Sequence, residues 1–421
     1  MSTVSTVPED LTGFVYQSHA ASTFLASVHL EERNRVLLEI AEAVKQQRNQ
    51  ILEANTLDLE ASREMAIPDI VLEWLKLTPE RLQNAIDCIK QLAVLPDPLS
   101  AGSSNPDGYR RVPLGAMAFV YEAFPQLGLV AAGMCLKAGN SLILKGGSES
   151  INSNSAIALA IKDVLQKCGL PEATIAIAPK GSAIKDLLTQ EKYLRLVIPY
   201  GRPSFVQQVS KQATVTVMSS VMGNCYAYIA PSSNLEYASQ MIKASRSSDP
   251  DPVNAIEKAI VHRDWLDRGL IDWIISLQQQ GLTVRACDTT VAYCRHHMDR
   301  LHGEVAAETQ WGNAYLDDII AIKVVDRLDE AIAWMNQYSS GHADIILTDS
   351  LQESHQFAIQ ANSSTVFINT SNQFKRYGSL DSNGNKRVIL GMSSLKTRGS
   401  SRHPGAIDLY ALTTTKRIVT S

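Results

Sequence analysis

The sequence predicts an α/β protein with open parallel sheets of the doubly wound type, and three observations carry that prediction. From Val112 onward, short apolar runs alternate with amphipathic ones, the pattern of strands joined by helices. The strand-like PLGAMAFVYE (113–122) and SLILK (141–145) flank a helix-like PQLGLVAAGMCLKAGN, which makes a βαβ unit with a right-handed crossover. The same alternation resumes after an irregular stretch rich in Ser, Asp and Pro, Ala244 to His262 (ASRSSDPDPVNAIEKAIVH), so a second α/β region follows the first. A chain of 421 residues, 45% of them hydrophobic, has room for two to three domains with large cores.

Taken in order, the first hundred residues read as helices. In ERNRVLLEIAEAVKQQRNQILEAN, Leu37, Ile40, Ala41 and Val44 recur at helical spacing, and Glu39, Glu42, Lys45 and Arg48 face outward. The next helix starts at Thr78, a side-chain N-cap, with Pro79 in the first turn and Glu80 near the positive dipole end. Leu82, Ala85, Ile86, Ile89 and Leu92 form its apolar stripe, and Pro96 and Pro98 end it. INSNSAIALAIKDVLQKCG is an amphipathic helix closing at Gly169; TIAIAP, LRLVIPYG, TVTVMS and NCYAYIAP are strand-like, and Asn234 to Lys243 reads as helix. Beyond the irregular stretch, AIVH, LTVRAC, DDIIAIKVVD, DIILTD and STVFIN read as strands. The helices between them are WLDRGLIDWIISLQQQG, LDEAIAWMNQYSSG and ESHQFAIQAN. The tail from Gln373 to Ser421 is polar and loop-like, either a strand exchanged with a partner subunit or a simple arm. The expected boundaries are therefore 1–243, 244–372 and 373–421.

Composition narrows the partners. With 39 basic against 43 acidic residues the net charge is -4, which favours no polyanion, so nucleic acid is not expected. The six cysteines (Cys88, Cys135, Cys168, Cys225, Cys287, Cys294) are scattered, without CxxC or zinc-type spacing, which points to a reducing compartment and no metal. The N-terminal MSTVSTVPEDLTG has no basic region followed by an apolar run, and no window approaches the ~20 apolar residues of a membrane span. A cytoplasmic protein without a membrane segment is expected.

Candidate chemistry is sparse. Lys145-Gly146-Gly147-Ser148 follows a strand and precedes a helix; it is either a turn that holds a phosphate on N–H groups and an ammonium, or a plain turn, since no GxGxxG or Walker pattern accompanies it. His262, His297, His302 and His342 lack ligand spacing and read as structural histidines. Lys386, Arg387, Lys396, Arg398, Arg402 and Lys416 make the tail basic, a solvated loop in preference to a phosphate or acidic-partner site. Cys225 reads as a buried inert thiol.

At YEAFP, MCLKAGNSLILKGGSESINSN, GLPEA, VIPYG, MGNCYAY, NAIEKAIVH, WGNAYLD, VVDRLDEAI, SSGHADIILTD, INTSNQF and ALTTTK, the chain resembles γ-glutamyl phosphate reductase (glutamate-5-semialdehyde dehydrogenase), of the aldehyde dehydrogenase superfamily. The resemblance runs in register over nearly the whole chain. It implies a Rossmann-like dinucleotide-binding domain, a catalytic-type α/β domain and a small oligomerisation element. It also implies a homo-oligomer (dimer or tetramer) and NADPH-dependent reduction of γ-glutamyl phosphate in proline biosynthesis. Lys145, Gly146, Gly147 and Ser148 are then the cofactor-binding candidates. The family reaction needs a cysteine thiolate that attacks the acyl phosphate, after which hydride converts the thioester to aldehyde. The family loop resembles QRPGVCNAxETLLVH, which places the nucleophile at Val253, before Asn254.

Other pocket positions depart from the family as well. YEARPN is here Tyr121-Glu122-Ala123-Phe124-Pro125-Gln126, so Phe124 and Gln126 stand where the family's Arg and Asn meet the anionic substrate and its oxyanion. IIPRGG is Val197-Ile198-Pro199-Tyr200-Gly201-Arg202, Ser220 and Tyr226 replace two histidines, and the Gly-rich FGLGAEIGIST becomes SLDSNGNKRVILGMSS. Gly139, Asn140, Gly146, Gly147, Gly341, Asp344 and Asn369 match. The changes fall where chemistry would be: Phe124, Gln126 and Val253 are altered, and with Asn254 and Asn369 they mark the degenerate pocket. The sequence therefore reads as a non-catalytic paralogue with a binding, regulatory or assembly role, possessing no catalytic residue and with an unidentified protein partner in view. The alternative is an active NADPH-dependent reductase of L-glutamyl 5-phosphate that uses another residue, Cys225 or Ser247 or Ser248; a serine without a base is a poor nucleophile.

Overall fold

A computed structural model describes residues 11–100, 108–247, 251–294, 304–380, 384, 386–396 and 404–419. The chain forms two compact units. One runs up to Ser220 and takes in Arg376–Gly391 and the residues from Ala406; the other comprises Val221–Lys375 and Met392–Gly405.

The first unit is built on a four-stranded parallel sheet ordered Ile175–Ile177, Ser141–Gly146, Ala116–Tyr121, Leu196–Tyr200. Every residue of Ala116–Tyr121 is buried, as expected of an apolar run covered on both faces of a parallel sheet. Helix Pro125–Lys137 crosses from Ala116–Tyr121 to Ser141–Gly146, is buried along its entire length and is followed by Gly139 at φ +77°. The N-terminal helical region covers it. Leu30–Gln46 and Arg48–Glu64 are separate helices that break at Gln47, where the sequence suggests one. Pro79–Val94 begins as expected: Thr78 Oγ1 accepts the Arg81 N–H at 3.1 Å, with Pro79 at the first position. TVTVMS does not become a strand. The Thr214 and Val215 N–H groups go to the Leu188 carbonyl, leaving a single bridge between Val197 and Val217.

The second unit carries seven parallel strands in the order Glu304–Val305, Thr283–Ala286, Ile319–Val325, Ile256–His262, Cys225–Ile229, Asp344–Leu347, Val366–Ile368. Two apolar layers enclose this sheet. One includes Ile242, Trp273 and Leu277; the other includes Trp311, Met335 and Phe357.

The division at Ser220 lies earlier than the expected 243/244. The reason is the strand Cys225–Ile229, which pairs with Ile256–His262 and Asp344–Leu347, so it and helix Leu235–Arg246 fold with the second sheet. The tail is more ordered than its polarity suggests. Tyr377–Leu380 pairs with Lys386–Val388, and Thr413–Arg417 pairs antiparallel with Tyr109–Pro113 of its own chain. Two of the described basic residues there have partners within their own units. Arg387 pairs with Asp408, and Lys396 Nζ bonds the Met335 and Ser339 carbonyls at 2.9 and 2.8 Å, capping helix Leu328–Tyr338 in the second unit. Arg398 and Arg402 lie outside the described residues.

Removing the Thr78 cap by Thr78→Ala should lower stability by about 1 kcal/mol. Urea midpoints should shift with an unchanged m value, since the unfolded surface is the same.

Candidate functional site

In the second unit the loop that should carry a nucleophile is closed around Val253, which is fully buried. Its N–H donates to the Asp251 carbonyl at 2.8 Å, and its own carbonyl accepts the Gly223 N–H at 3.0 Å. The same carbonyl lies 2.8 Å from His342 Nε2. A carbonyl only accepts, so Nε2 carries the proton, and Nδ1 is left to accept from the Ser340 hydroxyl at 2.8 Å. Burial holds His342 neutral, pushing its imidazole down to about 4.

Cys225 lies 3.3 Å from the same Nε2. That nitrogen is a donor and cannot take the thiol proton. Burial first, and then the Asp344 and Glu257 charges, push the thiol well above its ordinary range. Thiolate is the reactive form, so this setting at the start of the strand favours the unreactive, protonated thiol. Ser247 donates to the Ala244 carbonyl at 2.7 Å and accepts from Gln373 Nε2 at 2.6 Å, with no base among its described partners. Ser248, His297 and His302 lie outside the described residues. His262 accepts the Asp264 N–H, a local cap.

Asn254 joins Val253 in this site. Its Nδ2 donates to the Asn372 carbonyl at 2.7 Å, and Asn372 Nδ2 returns a bond of 2.9 Å to the Asn254 carbonyl. Asn369 does not join it. At φ +49° it is a turn residue whose amide clasps the Thr348 N–H and carbonyl at 2.9 and 2.7 Å. Nearby, Glu257 accepts the N–H groups of Asn224, Tyr315 and Leu316, at 3.0, 2.8 and 2.9 Å, and pairs with Lys258 at 3.2 Å. Both side chains are buried, and Lys258 also lies 3.9 Å over the Tyr315 ring. Nothing in the Ile256-Glu257-Lys258 run marks this pair as internal.

In the first unit, the two positions where the resemblance places arginines have become rings in contact. Phe124 and Tyr200 are both buried, with centroids 5.4 Å apart at 88°, and Trp74 stacks on Phe124 at 4.9 Å. Tyr200 closes its strand and Phe124 caps the helix that follows the neighbouring strand, whose last residue, Tyr121, faces Tyr200 in register. Two residues further on, Arg202 donates to Glu122 at 2.7 Å, so its charge is matched within the unit. Gln126 is 5% exposed, and among the described residues neither its Nε2 nor its Oε1 has a partner.

The Lys145–Ser148 turn has lost part of the expected cradle. The Gly147 N–H donates to the Tyr121 carbonyl at 2.9 Å, and the Glu149 carboxylate accepts the Ala123 N–H at 2.7 Å. A Cβ at Gly146 would press on the buried Asn154 amide, which is held by Tyr121 and Ser150, whereas one at Gly147 would meet only the movable end of the Glu149 side chain. The Lys145 ammonium, lowered from its ordinary value by burial, and the Ser148 hydroxyl are the side-chain groups left at this turn that a phosphate could meet, while the Glu149 carboxylate is committed to the Ala123 N–H. No group of three or more His, Cys, Asp or Glu among the described residues could hold a metal ion.

The neutral His342 should make the fold acid-sensitive. Unfolded, a histidine titrates near ~6.5; folded, His342 titrates at about 4. Between these values the unfolded chain binds a proton that the folded chain rejects, so stability falls as pH drops through that window. Denaturant midpoints at pH 7 and pH 5 should show wild type losing on the order of 1–2 kcal/mol more than His342→Gln. Asp344, raised by burial, contributes equally to both proteins and cancels in that comparison.

The aldehyde dehydrogenase family model matches residues 4–275 and 318–400. The chain is 42% identical over 411 residues to "Gamma-glutamyl phosphate reductase 2" of Synechocystis sp., covering 95% of each chain. It is 36% identical to the γ-glutamyl phosphate reductase of Gloeobacter violaceus, covering 99% of this chain and 98% of the other. The crystal structure of γ-glutamyl phosphate reductase from Thermotoga maritima superposes with a TM-score of 0.84 at 30% identity, covering 97% of each chain. A probable aldehyde dehydrogenase from Listeria monocytogenes shares the fold at 16% identity and a TM-score of 0.70. The chain belongs to the γ-glutamyl phosphate reductase family, within the aldehyde dehydrogenase family.

Proposed function

We propose that this member of a proline-biosynthesis family performs no acyl transfer and serves a binding, regulatory or assembly role. The observation that carries the reading is Val253, a side chain without a lone pair, buried where the resemblance places the thiol. The surroundings support it. The one imidazole at that loop is neutral, with its Nε2 proton directed at the Val253 carbonyl, and the thiol beside it is held protonated. The rings at Phe124 and Tyr200 leave no cation at those two positions to meet an acyl phosphate. NADPH belongs to the reading through Lys145, Gly146, Gly147 and Ser148; when bound, it would supply a hydride. A cytoplasmic location and a homo-oligomeric state complete it.

A second reading rests on the 3.3 Å approach of Cys225 to His342: an active NADPH-dependent reductase of L-glutamyl 5-phosphate with Cys225 as nucleophile. The two separate in a single assay. With glutamate 5-semialdehyde, phosphate and NADP+, purified protein should form no NADPH above background. Turnover that Cys225→Ala abolishes would establish the second reading in place of the first. Val253→Cys alone should stay inactive, because a thiol restored there still lacks a base and the lost arginines; recovered activity in that variant would show that one side chain was the whole deficit.

A further inference from the structure

Glu257 has no place in the ladder of the second sheet. Between strands Cys225–Ile229 and Ile256–His262, Cys225 lies opposite Ile256 and Tyr226 opposite Lys258, so Glu257 is skipped. The register with Ile319–Val325 begins only at Lys258. Such a bulge is rare between parallel strands and re-aims the extra side chain. Here it lets two consecutive residues, which a flat strand would send to opposite faces, meet at 3.2 Å. The Glu257 carboxylate is turned onto the N–H groups of Asn224, Tyr315 and Leu316. Asn224 and Leu316 are held in the left-handed region, at φ +56° and +53°, where such side chains are strained and persist only when their surroundings dictate it. Lys258 grips the same segment: its Nζ donates to the Asn313 carbonyl at 2.6 Å and lies 3.9 Å over the Tyr315 ring.

We propose that Lys258 is a clamp which closes this bulge, and that the closed bulge keeps the Cys225 thiol shut in. The Gly223–Asn224 turn is the part that moves when the clamp is lost. Three contacts tie it down. The Asn224 N–H goes to Glu257, the Gly223 N–H goes to the Val253 carbonyl at 3.0 Å, and the Gly223 carbonyl accepts the Ser340 hydroxyl at 3.0 Å. Only the first is charge-assisted, and such bonds are roughly twice as strong as neutral ones. Cys225 follows the turn directly and is fully buried. A carboxylate met by N–H groups alone is still a net charge held out of water, and it draws solvent toward itself. The Lys258 ammonium cancels that charge, so Glu257 stays aimed at the turn and the turn stays closed. The clamp does not depend on what the protein does with Cys225. It shuts in an inert core thiol and a nucleophile held in reserve alike.

The test is amide exchange and iodoacetamide labelling of the full chain at a single pH, read by peptide mass spectrometry, for wild type, Lys258→Met and Lys258→Gln. Met keeps the length without charge or donor, and Gln keeps a donor for the Asn313 carbonyl without the charge. Both variants should fold, because three N–H groups still meet Glu257. The peptides that hold Asn224 and Tyr315 should exchange about tenfold faster or more, and labelling of Cys225 should rise with them. Strand Thr283–Ala286, in the same sheet, should keep its wild-type rate. Thr78→Ala, which weakens the other unit, should leave Cys225 as slow to label as in wild type. Four results would each overturn the inference. Wild-type exchange in both variants would mean that the carboxylate holds the turn unaided. Equal acceleration in Thr283–Ala286 would mean a general loss of stability. Faster exchange with Cys225 still unlabelled would mean that the turn does not guard the thiol. Failure of both variants to fold would make the ammonium part of the fold and not a clamp on it.

Discussion

The second unit depends on how one peptide is held. Val253 donates its N–H to Asp251 and accepts at its carbonyl from both Gly223 and His342. Gly223 leads into the strand Cys225–Ile229, and His342 leads into Asp344–Leu347, its neighbour in the sheet. The Val253 carbonyl therefore ties together the loop and the entrances of two adjacent strands, and it does so through backbone and imidazole, not through the Val253 side chain. That distinction means the loop's shape is fixed independently of the side chain at position 253. The contacts that fix its shape never involved the side chain that would react. A histidine recruited to hold a carbonyl is also withdrawn from acid–base work, because its one proton is committed and burial forbids a second.

A related logic governs the first unit. Charged side chains facing a substrate are stabilised by that substrate, and without an anion to meet, two arginines in such a setting repel each other and demand solvent. Phe124 and Tyr200 resolve this together. Their rings meet at 5.4 Å, with Trp74 on the far side of Phe124. The gain is apolar burial and edge-to-face contact, the ordinary currency of a core.

Much of the fold was legible from the chain, because the signals there are local. The Thr78-Pro79 start, Gly139 and Gly169 after their helices, and the alternation of apolar strands with amphipathic helices all state their structure within a few residues. The failures were equally physical. TVTVMS has strand composition, but two of its N–H groups are claimed by Leu188, a partner no periodicity reveals. The boundary near Ser220 depends on which sheet the Cys225 strand joins, a long-range choice. Of the candidate site, the identity of Val253, Phe124 and Gln126 could be read directly, and the resemblance gave them meaning. That Phe124 touches Tyr200, that His342 binds the Val253 carbonyl, and that Asn369 braces Thr348 are facts of contact, and each joins positions 21 to 89 residues apart.

These contacts also bear on why the altered positions would be hard to reverse one at a time. An arginine placed at position 124 would put a cation against Tyr200 and Trp74 with no carboxylate among Phe124's described contacts, and burying an unpaired charge is among the most costly changes a core can suffer. Restoring position 200 alone meets the same difficulty from the other side, and Gly391 lies close enough to the Tyr200 ring that a side chain there would collide with it. Each aromatic residue makes the other's arginine less tolerable, which couples the two positions as neighbours in contact usually are. A thiol at Val253 changes nothing in this cluster. In the proposed reading two separate features therefore stand against the family's chemistry: an imidazole that is neutral and turned toward the Val253 carbonyl, and an aromatic cluster in which the rings at positions 124 and 200 meet.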